Sequence, residues 1–361
     1  MIEIKKQKTF FNTIKFYFDI RMLKILLLGA ISGFPWVIIG SSLSLWLKEE
    51  GLSRTTIGWA GLIFAVYAFN YFWAPLIDRI QIPFLTKKIG HRKSWIFLMQ
   101  IIILLGLIFW SFINPIQNLN LVIGAGLIIA IASATQDITV DALRIEQIEK
   151  KEKEAMAAGA AVAVVGWWSG YKLGGVIALT LADYLENLGL ENYWQISFLA
   201  LGLIIIFFNI GILFINERNF LNIKNSHLEL DKKILKKLNY NNLFTKFFAW
   251  IGSTISGPLI SFFKTNGKSI AIGIISFIFL FKIGEAFLGR MSVIFYKEIG
   301  FSKSDIALYS KGLGWITTII FTLLGGLFAI RSGVIKAMFI SGILMASTNL
   351  LFSLLAWSGK S

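Results

Sequence analysis

The chain contains no cysteine and only two histidines, His91 and His227. Without thiols there is no disulfide framework, no thiolate nucleophile and no cysteine-based metal site. Both histidines fall in segments that read as polar loops, so a histidine-centred metal or proton site is not expected, and neither is a metal or cofactor of any kind. Charge is equally scarce. Asp, Glu, Lys and Arg make up 15% of the residues against 56% hydrophobic and 15% aromatic, and the mean hydropathy is +0.71. Those values lie outside the range of soluble domains and specify an integral membrane chain.

A membrane-spanning helix needs about 20 mostly apolar residues. Nine windows qualify, near 22–47, 55–77, 94–113, 120–143, 155–181, 193–215, 270–296, 303–329 and 334–357. The fold class expected is therefore an all-α, polytopic helical bundle. A net charge of +15 and a pI near 9.8 raise the question of a nucleic-acid partner, but the distribution of the bases answers it. Of 35 Lys and Arg, 26 fall on one side: six up to Lys24, five from Arg79 to Lys93, four from Arg144 to Lys153, nine from Arg218 to Lys268, and Arg331 with Lys336. Loops on the other side hold four, Lys48, Arg54, Lys297 and Lys303. By the positive-inside rule the N-terminus is cytoplasmic, and the basic balance reflects topology and anionic lipid; no nucleic-acid partner is expected. The lysine-rich N-terminus resembles a signal-peptide n-region, but the first span is too long and lacks a small-residue cleavage site.

Three segments follow: a six-span half over 1–215, a basic cytoplasmic linker over 216–268 and a partial second half of about three spans over 269–361. In the linker, Leu235, Leu238, Leu243, Phe244, Phe247 and Phe248 alternate with lysines, a pattern that suits an interfacial amphipathic helix or an ordinary packed linker. Six plus six spans is a common plan for transporters built from two repeated halves around a midplane site. Here the hydrophobic spans number nine, so the second half is incomplete. A shortened protein and a second polypeptide that supplies the remaining helices are both open readings.

The most informative motif is Ala134-Thr135-Gln136-Asp137-Ile138-Thr139-Val140-Asp141-Ala142-Leu143-Arg144, which ends an apolar run. At 3.6 residues per turn, Ser133, Asp137, Asp141 and Arg144 share one helix face. A charge near a membrane-helix centre costs about 2.5 to 3.5 kcal/mol on insertion scales, so these groups are expected to face the bundle interior. Between spans 2 and 3, Asp78-Arg79 and Arg92-Lys93 place acid and base at one helix end, either as a lock between two rocking states or as topology-setting charge. Span 1 carries Gly29, Gly33 and Gly40, and span 5 carries Gly166, Gly170 and Gly174 at four-residue spacing, which favours close helix approach. Lys172 lies in span 5 beside Trp167, Trp168 and Tyr171; it either snorkels outward or offers a cation to an anionic ligand. In span 7, Lys282 and Glu285 are three residues apart, so Glu285 is either half of a static pair or a proton carrier with a movable partner. Lys311 is a further buried cation, and Arg290 is near enough to a helix end to be interfacial.

Gly29-Ala30-Ile31-Ser32-Gly33-Phe34-Pro35, Trp73-Ala74-Pro75-Leu76-Ile77-Asp78-Arg79, Gln136-Asp137-Ile138-Thr139-Val140-Asp141-Ala142 and Lys282-Ile283-Gly284-Glu285 together resemble the AmpG-type muropeptide permeases of the major facilitator superfamily. Gly300-Phe301-Ser302 and Lys311 fit as well, and the resemblance runs along most of the chain except the linker. Relatives commonly carry Lys in the segment matching Tyr67-Ala68-Phe69-Asn70, where this chain has Asn70. The resemblance implies a multi-pass protein of the bacterial inner membrane that imports anhydro-muramyl peptides for peptidoglycan recycling, driven by the proton gradient. On that basis Glu285, Asp137 and Asp141 are the candidates for proton coupling. Lys172, Lys311, Arg144, Lys282, Trp167, Trp168, Tyr171 and Gln136 are the candidates for substrate contact. Asp78, Arg79, Arg92 and Lys93 form the candidate gating loop.

A carrier of acetyl-CoA or another anionic metabolite is the nearest alternative, since the eukaryotic acetyl-CoA transporters share a similar Gln-Asp segment. An inactive or split transporter fragment is a third. An enzyme is not expected: no metal-ligand cluster or activated nucleophile accompanies the carboxylates.

Overall fold

The computed structural model describes residues 15–149, 151–217, 262–332 and 334–358. The amphipathic segment of the linker and the first lysines lie outside the described residues. Each expected span coincides with a long helix: α1 (Ile20–Glu49), α2 (Arg54–Phe72), α3 (His91–Trp110), α4 (Leu119–Glu146), α5 (Lys153–Asn187), α6 (Tyr193–Leu213), α7 (Lys268–Ile299), α8 (Lys303–Phe328) and α9 (Val334–Ser358). Eight of them are long and apolar enough to cross a membrane. The remaining one, α7, is 32 residues long, and its side chains from 281 to 290 lie outside the described residues. His91 departs from its expected loop: it opens α3, is 2% exposed, and its Nε2 lies 2.9 Å from the Ile77 carbonyl oxygen.

Helix ends follow local chemistry. Asp19 caps α1 by accepting from the Arg21 amide at 2.8 Å, and Ser53 caps α2 by accepting from the Thr56 amide at 3.1 Å. Ser302 and Asp305 form a reciprocal capping box at the start of α8. Just before it, Gly300 closes α7 at φ +105°, a left-handed conformation that disfavours residues with a Cβ.

Helix α1 forms its largest interface with α5. Gly29 and Gly33 face Gly166 and Gly170, and a Cβ added to any of the four would strike main-chain atoms of the opposing helix. The two backbones therefore meet directly, as the four-residue glycine spacing anticipates. Near the far end of α1 the core turns aromatic: Trp46 packs on Phe198 and Trp110 with ring centroids 5.1 and 6.0 Å apart. Around this interior, Leu203, Phe207, Phe339 and Leu350 are exposed, the apolar exterior of a chain whose solvent is lipid. Burial is lowest in the last two helices. In its most apolar window α1 is 67% buried, α8 6% and α9 not at all.

Candidate transport site

The centre of the bundle is organised by a break in α1. Pro35 has no N–H, so it cannot donate to the carbonyl of Ile31 four residues back, and the chain runs from there into a π-helical stretch, Val37–Ser42. From α4, the side-chain amide of Gln136 donates to the Ile31 oxygen at 2.7 Å. The next residue, Asp137, accepts a hydrogen bond from Ser32. One turn earlier, Ser133 accepts from the Tyr67 hydroxyl at 2.6 Å. The α4 face read from the sequence thus meets α1 and α2 in the interior. Its last members, Asp141 and Arg144, pair with each other at 2.9 Å nearer the helix end, where Asp141 is 69% exposed.

Beyond the break, Trp36 turns into an aromatic cluster. Its ring lies 4.6 Å from Tyr67 and 5.6 Å from Trp167; Trp167 stacks on Tyr171 at 5.7 Å and meets Trp168 edge-on at 5.0 Å. The two lysines flagged in the sequence come together at this cluster from different helices, α5 and α8. Lys172 of α5 donates to the Ser310 carbonyl at 2.7 Å and sits 5.7 Å from the Trp168 ring. Lys311 of α8 is 2% exposed, its stem packed along Gly175 and its ammonium 4.0 Å from the centre of the Tyr171 ring. Ser310 and Lys311 both belong to a second π-helical stretch, Ile306–Leu313. Among the described residues no carboxylate pairs with the Lys311 ammonium. A desolvated cation on an aromatic face gains roughly 2 kcal/mol, less than the several kcal/mol that its desolvation costs. The arrangement is suited to receiving an anion. Lys282, Glu285 and Arg290 fall within the α7 side chains outside the described residues.

Asp78, Arg92 and Lys93 of the candidate gating loop meet at the end of the bundle that bears the N-terminus, where Arg79 ends the short helix Ala74–Arg79. Arg92 reaches Asp78 at 3.3 Å and Glu146 at 2.9 Å, tying the starts and ends of three helices. The amides of Arg92 and Lys93 donate to Glu217 at 2.7 and 3.1 Å, so a carboxylate from beyond α6 caps α3, whose N-cap is Gly90. Gly90 is itself required here: its φ is +105°, and a Cβ would collide with the Glu217 carboxylate. At the same end Arg21 bridges Asp19 and Glu152 at 2.6 and 2.7 Å, and these hydrogen bonds hold both carboxyls below the usual carboxylate range.

The opposite end holds a network that sequence reading missed. Lys303, 1% exposed at the start of α8, pairs with Glu49 of α1 at 3.1 Å and Glu186 of α5 at 2.5 Å. Glu49 also accepts from the Trp194 indole at 2.7 Å and lies 3.5 Å from Lys297 of α7. Arg54 pairs with Glu298 at 2.6 Å, and Ser304 donates to Asp183 at 2.5 Å. All of these links except the Trp194 contact join the first six helices to α7 or α8. The only advance signal was that four bases and their acids cluster at these helix ends.

A groove of about 600 Å³ lined by Trp73, Ile77, Trp95, Met99, Ile128 and Ile131 is almost wholly apolar and contains neither lysine. It suits hydrocarbon rather than a polar ligand. Among the described residues no group of three or more His, Cys, Asp or Glu is arranged to hold a metal ion.

Long apolar helices around a polar, aromatic interior define a multi-pass membrane protein whose site lies between two groups of helices. The family model described as Major Facilitator Superfamily matches residues 25–361, and the chain belongs to that family of transporters. Within it the chain is of the AmpG type. It is 34% identical over 338 residues to a Rickettsia conorii protein named "Putative transporter AmpG 4", covering 94% of this chain and 74% of that one. It is 30% identical to the corresponding AmpG 1 protein of Rickettsia bellii, covering 93% and 75%. To the anhydromuropeptide permease of Escherichia coli K12 it is 29% identical, covering 93% of this chain and 61% of the permease.

Proposed function

We propose that this transporter imports anhydro-muramyl peptides across the bacterial inner membrane in symport with protons, without covalent turnover. The observation that carries the reading is Lys311: a buried cation with no anionic partner among the described residues, seated on Tyr171 beside Lys172 where α5 meets α8. A muropeptide brings carboxylates for the two ammonium groups and sugar faces for Trp167, Trp168 and Tyr171. The name of the E. coli relative supports the same ligand class. Lys282 is assigned to the same cationic site. Arg144, nearer the helix end, is assigned to the exit path.

In this reading the N-terminus is cytoplasmic, so the Arg92 cluster faces the cytoplasm and the Glu49–Lys303 network faces the periplasm. The halves are 1–215 and 269–361, joined by the basic linker. The Lys303 network closes the periplasmic end, and Asp78, Arg79, Arg92 and Lys93 shape the cytoplasmic rim. Glu285, Asp137 and Asp141 are the coupling carboxylates. Protonation of Asp137 converts an acceptor-only group into one that also donates, which changes its contact with Ser32.

The test is uptake of labelled anhydro-muropeptide by cells lacking their own permease, with this chain or its Glu285→Gln variant. Uncoupler-sensitive uptake that the substitution abolishes supports the proposal; uptake indifferent to both overturns proton coupling through Glu285. The two cations also fit an acetyl-CoA or similar anionic-metabolite carrier. Competition decides between them, since unlabelled muropeptide but not a coenzyme A thioester should suppress the signal.

A further inference from the structure

We infer that Gln136 is a positioning residue: its side-chain amide replaces the main-chain N–H that Pro35 lacks, and so holds the break in α1 that places Ser32 and Trp36 in the central site. An unsatisfied carbonyl in a membrane interior is costly, because no water reaches it. In α1 the Ile31 carbonyl is the group that Pro35 orphans, and Gln136, 0% exposed, donates to it at 2.7 Å from a different helix. Among the described residues this donation is the hydrogen bond its side chain makes, and its own Oε1 has no partner.

Two functional groups hang on that bond. On one side of the break, Ser32 donates to Asp137, the residue next to Gln136, so adjacent positions on α4 pin adjacent positions on α1. On the other side, Trp36 enters the aromatic cluster against Tyr67 and Trp167. The stretch below the break cannot shift to compensate, because Gly29 and Gly33 are in main-chain contact with α5. A lost bond at Ile31 therefore displaces the segment above it, Trp36 first.

The experiment is a double-mutant cycle on the full chain with Gln136→Leu, Pro35→Ala and both together. Melting temperature in detergent is measured alongside uptake of labelled anhydro-muropeptide. Gln136→Leu removes the donor at constant bulk and is expected to lower uptake about ten-fold and to lower the melting temperature. Pro35→Ala restores a main-chain N–H facing Ile31, so in the double variant more than half of both losses is recovered. Gln136→Glu, whose ionised carboxylate opposes the carbonyl oxygen, is expected to fall below Gln136→Leu. Simple addition of the two single losses in melting temperature, or a Gln136→Leu protein that matches the parent in both measurements, overturns the inference. The melting-temperature arm requires no transport, so it decides the matter even if muropeptide proves not to be the ligand. If Gln136→Leu yields no folded protein, recovery of folded protein by Pro35→Ala supports the inference and continued absence refutes it.

Discussion

The two ends of this bundle use charge in opposite ways. At the end bearing the N-terminus, Arg92 binds Asp78 and Glu146, and Arg21 binds Asp19 and Glu152, all among the first six helices. At the other end the ionic contacts run across, from Glu49, Arg54 and Glu186 to Lys303, Lys297 and Glu298 of α7 and α8. The contacts named at the first end join helices of one group and stiffen that group. A network that spans two groups holds them in one relative position, and its loss frees them. In the proposed reading the first end is a rim and the second a latch, an asymmetry that suits a rocking transporter closed at one end.

Burial makes the latch the more sensitive of the two. Lys303 is 1% exposed and Glu49 11%, so removing the lysine takes the nearer cation from a largely buried carboxylate that keeps Lys297 at 3.5 Å, while Glu186, 47% exposed, is left to water; the loss is about 1 to 3 kcal/mol, below that of a fully buried pair. Lys303→Met is accordingly expected to give the largest fall in melting temperature of any single change in either network. Lys311→Met should break the parallel differently. Because Lys311 has no anionic partner among the described residues, its replacement is expected to leave the melting temperature equal or higher while cutting ligand uptake at least ten-fold. Uptake retained in that variant would remove Lys311 from the site.

At the rim the effects are smaller. The Asp78 side chain is 45% exposed, so Asp78→Asn is expected to cost about 1 kcal/mol or less, read as a shift of a few degrees at most. The smallest effect is a pH dependence. Arg21 holds Asp19 and Glu152 below the ordinary carboxylate values of about 3.9 and 4.3. A depressed folded-state value means that the stabilisation is complete above about pH 5 and is lost as pH falls below about 4, through the lowered values. The difference in melting temperature between the parent and Arg21→Gln should therefore shrink on acidification over that interval; a difference that grows would reverse the assignment.

Much of this was legible in the sequence where the signal is periodic. Four-residue spacing announced the contact of Gly29 and Gly33 with α5, and the 3.6-residue period put Ser133 and Asp137 on an interior face. Lys172 and Lys311 stood out because a cation in an apolar run has few explanations, although only the fold brings them to one aromatic cluster. The latch was illegible for a different reason. Lys303 and Glu49 are separated by 254 residues and sit at helix ends, where lysines are ordinary topology signals. Gln136 reads in sequence as a ligand group because a buried amide beside Asp137 invites that role. What the sequence does not display is that Pro35, on another helix, creates the carbonyl that the amide serves. Glu217 and Glu146 carry no local signal either, since their partner amides and guanidinium come from the start of α3, distant in sequence.

The most direct test of the rim and latch uses the absence of native cysteine. Ser310→Cys places a single thiol next to Lys311, on the residue whose main-chain carbonyl accepts from Lys172, and its labelling by a membrane-impermeant maleimide applied to the latch face reports opening there. Labelling should rise several-fold when Lys303→Met is added and stay at the parent level when Arg92→Gln is added instead. Equal labelling in both, or a rise only with Arg92→Gln, would contradict the assignment of the latch to the Lys303 end.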